Sequence, residues 1–525
     1  MVADLTQKSL PVSDSDPTVP CLDAGWPGAL SPPRAALADA LLAYVRPRRW
    51  FRAKARVIRG ARVADVVMLE QGQAALAILE IAYAHADAER YLIPLAVVAS
   101  GAPASALVAR LPVGVLVDGL ATGQLAPALF AFMRDGAAAR GEAGELRGEA
   151  EPGLREIAGA GPMAARASAA EQSNSSVALG ERVLLKTYRQ LGGGFNPERE
   201  LGRLLARHPR RPPTPRLLGS LQYRDAGGAD ASVAVAHELW PNDGDGWEVT
   251  LRQLRRPTPQ PAGALAGFAA RAETLGRRTG EVHLALFDAA AAGVTDPALL
   301  PEPLTDADRA GSAAAAQAAW AALARRLPER LPSLPPSLRA VVSRLLAPGS
   351  DERRRLDDIA ADFRDRPLPV VKTRIHGDLH LGQVLCRGDD FAIIDFEGEP
   401  ARALGERRTK ASPLRDVVGM LRSFDYAAAA LLRDGDAPPA APGFVDSWKR
   451  AVADGYLRGY RACVATAPFL PPHPDQLALM LRFFALERVL YEIGYELDNR
   501  PDWIDIPLGG LCALAAPPSR DEAAP

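Results

Sequence analysis

The stretch "RIHGDLHLGQVL", Arg374–Leu385, sets two histidines, an aspartate, two glycines and a glutamine among leucines, isoleucine and valine. Soon after it comes "IIDFEGEP", Ile393–Pro400, with carboxylates that follow directly on an apolar run. Polar groups this dense in otherwise apolar stretches need partners, because an unpaired buried charge costs several kcal/mol. The spacing says which partners. Gln383 stands five residues after Asp378 and Asp395 stands 17 after it, with two β-compatible runs, "QVLC" and "FAIIDF", on either side of "RGDD". A tight loop lets Asp378 face an acceptor hydroxyl while the Gln383 amide turns to a metal ion. A short hairpin then returns Asp395 to the same point.

That arithmetic is the one used in phosphoryl transfer. A catalytic-loop aspartate, an amide five residues on and a strand-end aspartate position the acceptor and hold Mg²⁺, and the reaction asks for little more than positioning and charge neutralisation. Taken alone, Asp378 also reads as a helix N-cap and His376 as a satisfied core histidine. The joint pattern favours the kinase reading.

A nucleotide-binding lobe should precede such a loop. From Glu171 the pattern fits one: "SVALGERVLLKTYR" reads as a hairpin of Ser176–Leu179 and Arg182–Tyr188, turning at Gly180 and Glu181. "NPERELGRLLARH" opens a helix with Asn196 as N-cap and Pro197 at its first position. Lys186 ends the run "VLLK", where a strand lysine reaches phosphates, and Glu200 on the following helix is expected to pair with it. "EQSNSS", Glu171–Ser176, offers Ser173, Asn174 and Ser175 as hydroxyl, amide and backbone donors over phosphates. Beyond Gly246 apolar residues recur at three- and four-residue spacing, which predicts a mainly helical remainder.

The expected class is therefore α+β: a bilobal protein-kinase-like fold, with a small sheet-bearing lobe at 166–245 and a helical lobe at 246–525. Before them, 31–165 is expected to form a separate cap with a linker at about 134–170, and 1–30 a disordered lead-in. The 525 residues exceed what one core holds. Lysine and arginine number 62 against 63 acidic residues, so charge gives no argument for nucleic acid or an anionic membrane. The four scattered cysteines, the lack of an apolar leader and the lack of a long apolar run lead to the expectation of a cytoplasmic, membrane-free protein. "RRWFRAKAR", with Arg49, Trp50 and Lys54, is one short basic stretch in a balanced chain. It reads as packing or contact with a neighbouring lobe rather than a nucleic-acid patch.

At these residues the chain resembles the aminoglycoside phosphotransferase-like kinases, and within them the bacterial maltokinases. The resemblance rests on "EQSNSS", "LKTYR", "NPERE", "PNDGDGW", "LGRRTGEVHLAL", "RIHGDLHLGQVL", "DFEGEP", "SPLRDVVGMLRSFDYAA" and "YEIGYELDNRPDWIDIPLGGL", spread from Glu171 to Leu511, and on "RRWFRAKAR" for the cap. It implies Asp378 as catalytic base, Gln383 and Asp395 as Mg²⁺ ligands, Lys186 as the phosphate-contacting lysine and His376 as a brace of the loop. Glu397 stands where protein kinases carry a glycine. The resemblance also implies ATP as co-substrate and transfer to an alcohol group, the anomeric hydroxyl of maltose. The product, maltose 1-phosphate, would feed trehalose and α-glucan (glycogen) metabolism, in association with a trehalose/maltose-interconverting enzyme. For the sugar, Glu487, Tyr491 and Tyr495 recur every four residues on one helix face, with Glu492 on the neighbouring stripe. Trp503 follows that helix, and Arg422 and Asp425 come from another. The same residues read equally well as an ion-pair stripe and packing tyrosines. A glucosamine kinase or other small-sugar kinase of the same fold is the first alternative, and a nucleotide-binding pseudokinase that serves as a scaffold is the second.

Overall fold

In the computed structural model, described for residues 19–69, 72–159, 163–167, 174–256, 261–400, 402–434 and 443–517, the chain divides into two compact units. One comprises Met1–Arg207 with Pro215–Trp240, the other His208–Thr214 with Pro241–Pro525.

The first unit begins with helix α1 (Ala35–Val45) and five strands: β1 (Ile58–Leu69), β2 (Ala74–Tyr83), β3 (Glu89–Val98), β4 (Leu107–Arg110) and β5 (Val115–Asp118). They form one antiparallel sheet in the order β1-β2-β3-β5-β4. Strand alternation sends Ala75, Ala77, Leu79 and Ile81 to one face, where α1 and the buried Trp50 and Phe51 cover them. Leu76, Ile78 and Leu92 point to the other face, against α2 (Ala126–Arg134) and the next sheet. The aromatic pair of "RRWFRAKAR" is thus core, and both rings pack on Tyr91.

The described residues of the stretch expected to be a linker are built into the fold. They carry β6 (Ala138–Arg140), β7 (Gly144–Ala150), the short helix α3 (Leu154–Ala158) and β8 (Ala165–Ala167). With β9 (Asn174–Leu179), β10 (Val183–Tyr188), β11 (Leu217–Asp225) and β12 (Asp230–Glu238) these strands make a seven-stranded sheet, ordered β6-β7-β11-β12-β10-β9-β8. Of the β7 side chains only Leu146 is buried, so apolar periodicity could not announce the strand; seven residue pairs with β11 hold it. The lead-in expectation is corrected as well. Residues 1–18 lie outside the described residues, but Leu22 donates its N–H to Arg110 O at 2.9 Å, and Leu22, Ala29 and Leu30 are buried. Helix α4 (Pro197–Arg207) completes the unit, and Asn196 caps it by accepting from the Glu198 N–H at 2.8 Å.

The second unit is mainly helical, as its periodicity predicts: α5 (Gly246–Leu254), α6 (Pro261–Phe287), α7 (Asp306–Arg326), α8 (Pro336–Leu346) and α9 (Asp351–Asp365) precede the catalytic-loop stretch, with β13 (Glu302–Pro303) and β14 (Val371–Lys372) as a minimal pair. After the loop come the hairpin β15 (Val384–Arg387) and β16 (Asp390–Ile393), then α10 (Leu404–Arg407), α11 (Leu414–Arg433), α12 (Phe444–Val464), α13 (Pro474–Asn499) and α14 (Asp505–Ala515). No described helix is long and apolar enough to cross a membrane. The class is α+β, of protein-kinase type, with a cap at the N-terminal end.

Candidate active site

In the first unit, β10 alternates so that Val183, Leu185 and Thr187 are buried while Lys186 takes the other face, paired with Ser176 of β9 and Val235 of β12. Its ammonium meets a carboxylate at 2.8 Å, and the partner is Glu198. This corrects the pairing expected with Glu200. Two residues are about 200° of helix turn, so the two glutamates of α4 face nearly opposite ways, and it is Glu198 that shares the buried face with Leu201 and Leu205. Tyr188 donates its hydroxyl to the same Glu198 oxygen at 2.7 Å, and His237 Nε2 lies 3.3 Å from the other. Burial alone would raise the Glu198 pKa; the Lys186 charge and the His237 contact outweigh it and hold the carboxyl far below its usual range. Asn174 and Ser175 open β9, and Arg189 Nε donates to Ser175 Oγ at 2.7 Å. Ser173 lies outside the described residues.

The second unit gathers the opening motifs. The β15–β16 register, Val384 opposite Ile393, returns the chain so that Ile394 N donates to Gln383 O at 3.0 Å. The side chains meet too: the Gln383 amide donates to Asp395 Oδ2 at 3.0 Å. Asp395 holds φ at +67°, a left-handed conformation rare for a residue with a Cβ and concentrated at functional sites. His376 Nε2 donates to Ile394 O at 2.8 Å, which fixes its tautomer, and its Nδ1 accepts from Asp378 N at 3.3 Å. His376 therefore ties the Asp378 loop to the segment that leads into Asp395.

Helix α11 supplies what the sequence reading missed. Asp416 accepts backbone N–H bonds from His376 at 2.8 Å and Gly377 at 2.9 Å, and His283 Nε2 donates to it at 3.1 Å. Ser423 accepts from Leu381 N at 2.9 Å. Between them, a Cβ on Gly419 would stand 2.6 Å from Leu379 O, so only glycine lets the loop lie this close. Gly377 itself, at φ +82°, makes the turn that aims both N–H groups at Asp416. Asp416, Gly419 and Ser423 are spaced i, i+3, i+7, a small and polar stripe on an apolar helix; that spacing was the available signal. Burial would raise the Asp416 pKa, but the hydrogen bonds from His283 and from the Gly377 N–H hold it below the ordinary value.

Asp378 sits at the wall of a cavity of about 460 Å³ within this unit, with Glu399, Arg415, Glu487, Arg488 and Tyr491 among its lining. A larger opening, about 620 Å³ between Pro369, Arg461, Pro471 and His473, is lined without a single carboxylate. Asp378's carboxyl is pushed well above its usual pKa, first by burial and then by the charge of Glu399; Arg488, 3.8 Å from Asp378 and 3.6 Å from Glu399, opposes the shift. His380, 4.0 Å from Asp378, is pushed down to about 4 by burial and by Arg488, so it is neutral near pH 7.

The residues suggested for the sugar divide. Glu487 and Tyr491 line the cavity, and Arg415 pairs with Glu487 at 2.9 Å. Arg422, Asp425, Glu492, Tyr495 and Trp503 are not among its lining. The first three satisfy one another: Arg422 bridges Glu492 at 2.9 Å and Asp425 at 2.7 Å, and Lys449 takes Asp425's other oxygen. Glu492 in turn accepts from Arg488 at 3.2 Å. This network is a support behind the cavity wall. Tyr495 is exposed, stacked on Tyr491, and Trp503 stacks on Tyr426.

Comparison with known proteins agrees with this anatomy. Residues 44–121 match the maltokinase N-terminal cap domain. A glucosamine kinase of Streptacidiphilus jiangxiensis is 28% identical over 365 residues, 67% of this chain and 74% of that protein. One from Mycolicibacterium smegmatis is 26% identical over 347 residues, covering 66% and 78%. A solved glucosamine kinase, in complex with glucosamine, ADP and inorganic phosphate, shares the fold with a TM-score of 0.62 at 22% identity, over 94% of this chain and 100% of its own. Residues 44–121 thus resemble the cap domain of maltokinases, and the chain as a whole shares the fold of a solved glucosamine kinase.

Proposed function

We propose that the protein is an ATP- and Mg²⁺-dependent kinase of small sugars, with the anomeric hydroxyl of maltose as acceptor and maltose 1-phosphate as product. The observation that carries this reading is the Gln383–Asp395 contact at the β15–β16 hairpin, tied through His376 to the loop of Asp378, which lines a polar cavity. Asp378, its pKa raised by burial and Glu399, is poised to accept a hydroxyl proton. Arg488 orients that carboxylate, and His376 keeps the loop in register with Asp395. Gln383 and Asp395 are assigned to a hard cation, which takes oxygen donors such as a carboxylate and an amide oxygen. Bound there, Mg²⁺ would neutralise phosphate charge. Lys186, fixed by Glu198, is assigned to the nucleotide phosphates. Glu487 and Tyr491 are assigned to the sugar. The same reading carries a cytoplasmic location, a place in trehalose and α-glucan metabolism, and association with a trehalose/maltose-interconverting enzyme.

Glucosamine is the second acceptor to weigh, because the two curated relatives carry that name and the Asp378–Glu399 carboxyl pair shares one arginine, an acidic spot congenial to an ammonium. ADP release with ATP, Mg²⁺ and separately maltose, glucosamine or glucose decides between them, with Asp378→Asn as control. Release with maltose that vanishes in the variant supports the first reading. Release with glucosamine alone replaces the sugar. ATP binding without release on any sugar overturns the kinase assignment.

A further inference from the structure

Two histidines of the catalytic loop accept a hydrogen bond in the same way: His376 Nδ1 from Asp378 N at 3.3 Å, and His380 Nδ1 from Gly382 N at 3.0 Å. A ring nitrogen that accepts carries no proton, so in both rings the proton sits on Nε2. There the two part. His376 spends its Nε2–H on Ile394 O at 2.8 Å, whereas the Nε2–H of His380 has no hydrogen-bond partner among the described residues. It stands 4.0 Å from Asp378 Oδ2, too far for a hydrogen bond, on a side chain that is 37% exposed and so open to a ligand. The ring is fixed where it is. Its bond to Gly382 caps the short turn Leu381–Gln383, and a Cβ on residue 382 would stand 2.9 Å from His380 Cε1. A cap alone asks for less: serine, aspartate or asparagine caps better and brings no second N–H toward the base.

The position of this donor narrows what it meets. Arg488 approaches the other oxygen of the carboxylate, Asp378 Oδ1, at 3.8 Å and lines the cavity assigned to the sugar. His380 is not among the lining of that cavity. Its carbonyl accepts from Gln383 N at 2.9 Å and the charge of Asp395 acts on its ring, which puts it on the Gln383–Asp395 side of the base.

We propose that His380 is a further catalytic residue, whose Nε2–H donates to an oxygen of the phosphoryl group in transfer. The inference rests on the kinase reading above, with Asp378 as base. In that step the acceptor oxygen bonds to the γ-phosphorus as the bond from that phosphorus to the β–γ bridging oxygen breaks; ADP leaves with the electron pair, and the hydroxyl proton passes to Asp378. A hydroxyl about 2.7 Å from the carboxylate, in near-attack contact with phosphorus at about 3–3.5 Å, brings the phosphoryl oxygens within reach of an N–H on this side. With Nδ1 occupied and Nε2 protonated, the ring has no site for another proton, so it acts as a donor and not as a second base.

Two substitutions in the full chain separate donor from cap, because an asparagine amide reaches the place of Nδ1 and a glutamine amide that of Nε2. His380→Asn keeps an acceptor for Gly382 N and loses the donor; His380→Gln keeps the donor and loses the cap. ADP release is followed with ATP, Mg²⁺ and whichever of maltose, glucosamine and glucose the parent turns over, beside ADP affinity without sugar and thermal melts. His380→Asn is expected to lower kcat about 10²-fold, the loss typical of one donor to developing charge, with KM for the sugar and ADP affinity within about threefold. His380→Gln is expected to recover at least about tenfold of that loss despite the missing cap. Parent-like kcat in His380→Asn, or a His380→Gln of parent-like stability that is no faster than His380→Asn, overturns the proposal. If His380→Gln melts well below the parent, His380→Asn decides alone, and equal losses of kcat and ADP affinity overturn the proposal. A parent that releases no ADP with any of the three sugars overturns the kinase reading, and the proposal with it, which is a distinct outcome.

Discussion

Replacing Asp416 by asparagine tests whether α11 holds the catalytic loop. The carboxylate accepts three bonds, from His376 N, Gly377 N and His283 Nε2, and is 2% exposed. Asparagine keeps one oxygen and turns an NH₂ toward a remaining donor, so at least one buried donor loses its partner and the charge assistance of the others goes. Bonds to a charged group are worth about 1.5–3 kcal/mol each, and breaking a buried charged cluster from one side costs about 3–5 kcal/mol. For a chain of 525 residues, whose unfolding entropy is about 2.1 cal/mol/K per residue, that lowers the melting temperature by roughly 3–5 °C. The pH dependence has a definite sign. Asp416's folded pKa is lowered, so its contribution is complete above the unfolded value of about 3.9 and fades as pH falls through the folded one. The gap between parent and variant should therefore be full at pH 7 and close in acid. Thermal melts across pH, with kcat measured alongside, give the answer. A variant that melts within about 2 °C of the parent at pH 7 and keeps its kcat would refute the reasoning.

Other outcomes follow from the same geometry. Asp378→Asn should lower kcat by at least about 10³-fold while leaving nucleotide binding intact; retained turnover would remove it as the base. Because Asp378's pKa is raised, activity should be lost on acidification at a pH above the ordinary carboxylate range, and Glu399→Gln, which removes a neighbouring negative charge, should move that limb to lower pH; a pH–rate profile that stays put would exclude the coupling. Glu198→Gln should raise KM for ATP about tenfold or more, whereas Glu200→Gln should change it little, and the reverse order would restore the pairing that spacing alone suggests.

Sequence legibility followed the physics of each element. The β9–β10 hairpin, the capped α4 and the hairpin that brings Gln383 to Asp395 are local: their signals lie in turn residues, caps and spacings within about twenty positions. Long-range partners were not legible. Asp416 is 40 residues from His376 and His283 is 133 residues from Asp416. Glu198 and Glu200 both stand within reach of a helix phase that the sequence sets only to a residue or two. Strands β6 and β7 read as a linker because their stability comes from ladder bonds to β11, which composition does not record.

The seven-stranded sheet has a consequence for anyone who divides this protein. A chain begun at residue 166 loses β6 and β7 and leaves β11 with seven unpaired ladder positions beside Leu217, Leu218 and Leu221. It also strips Glu149 and Glu151 from Arg199, Arg203 and Arg207, the cations along α4, the helix that carries Glu198. Such a fragment would present a bare, apolar edge of the kind that recruits copies of itself, so a cut that keeps the lobe soluble must keep β6 and β7 with it.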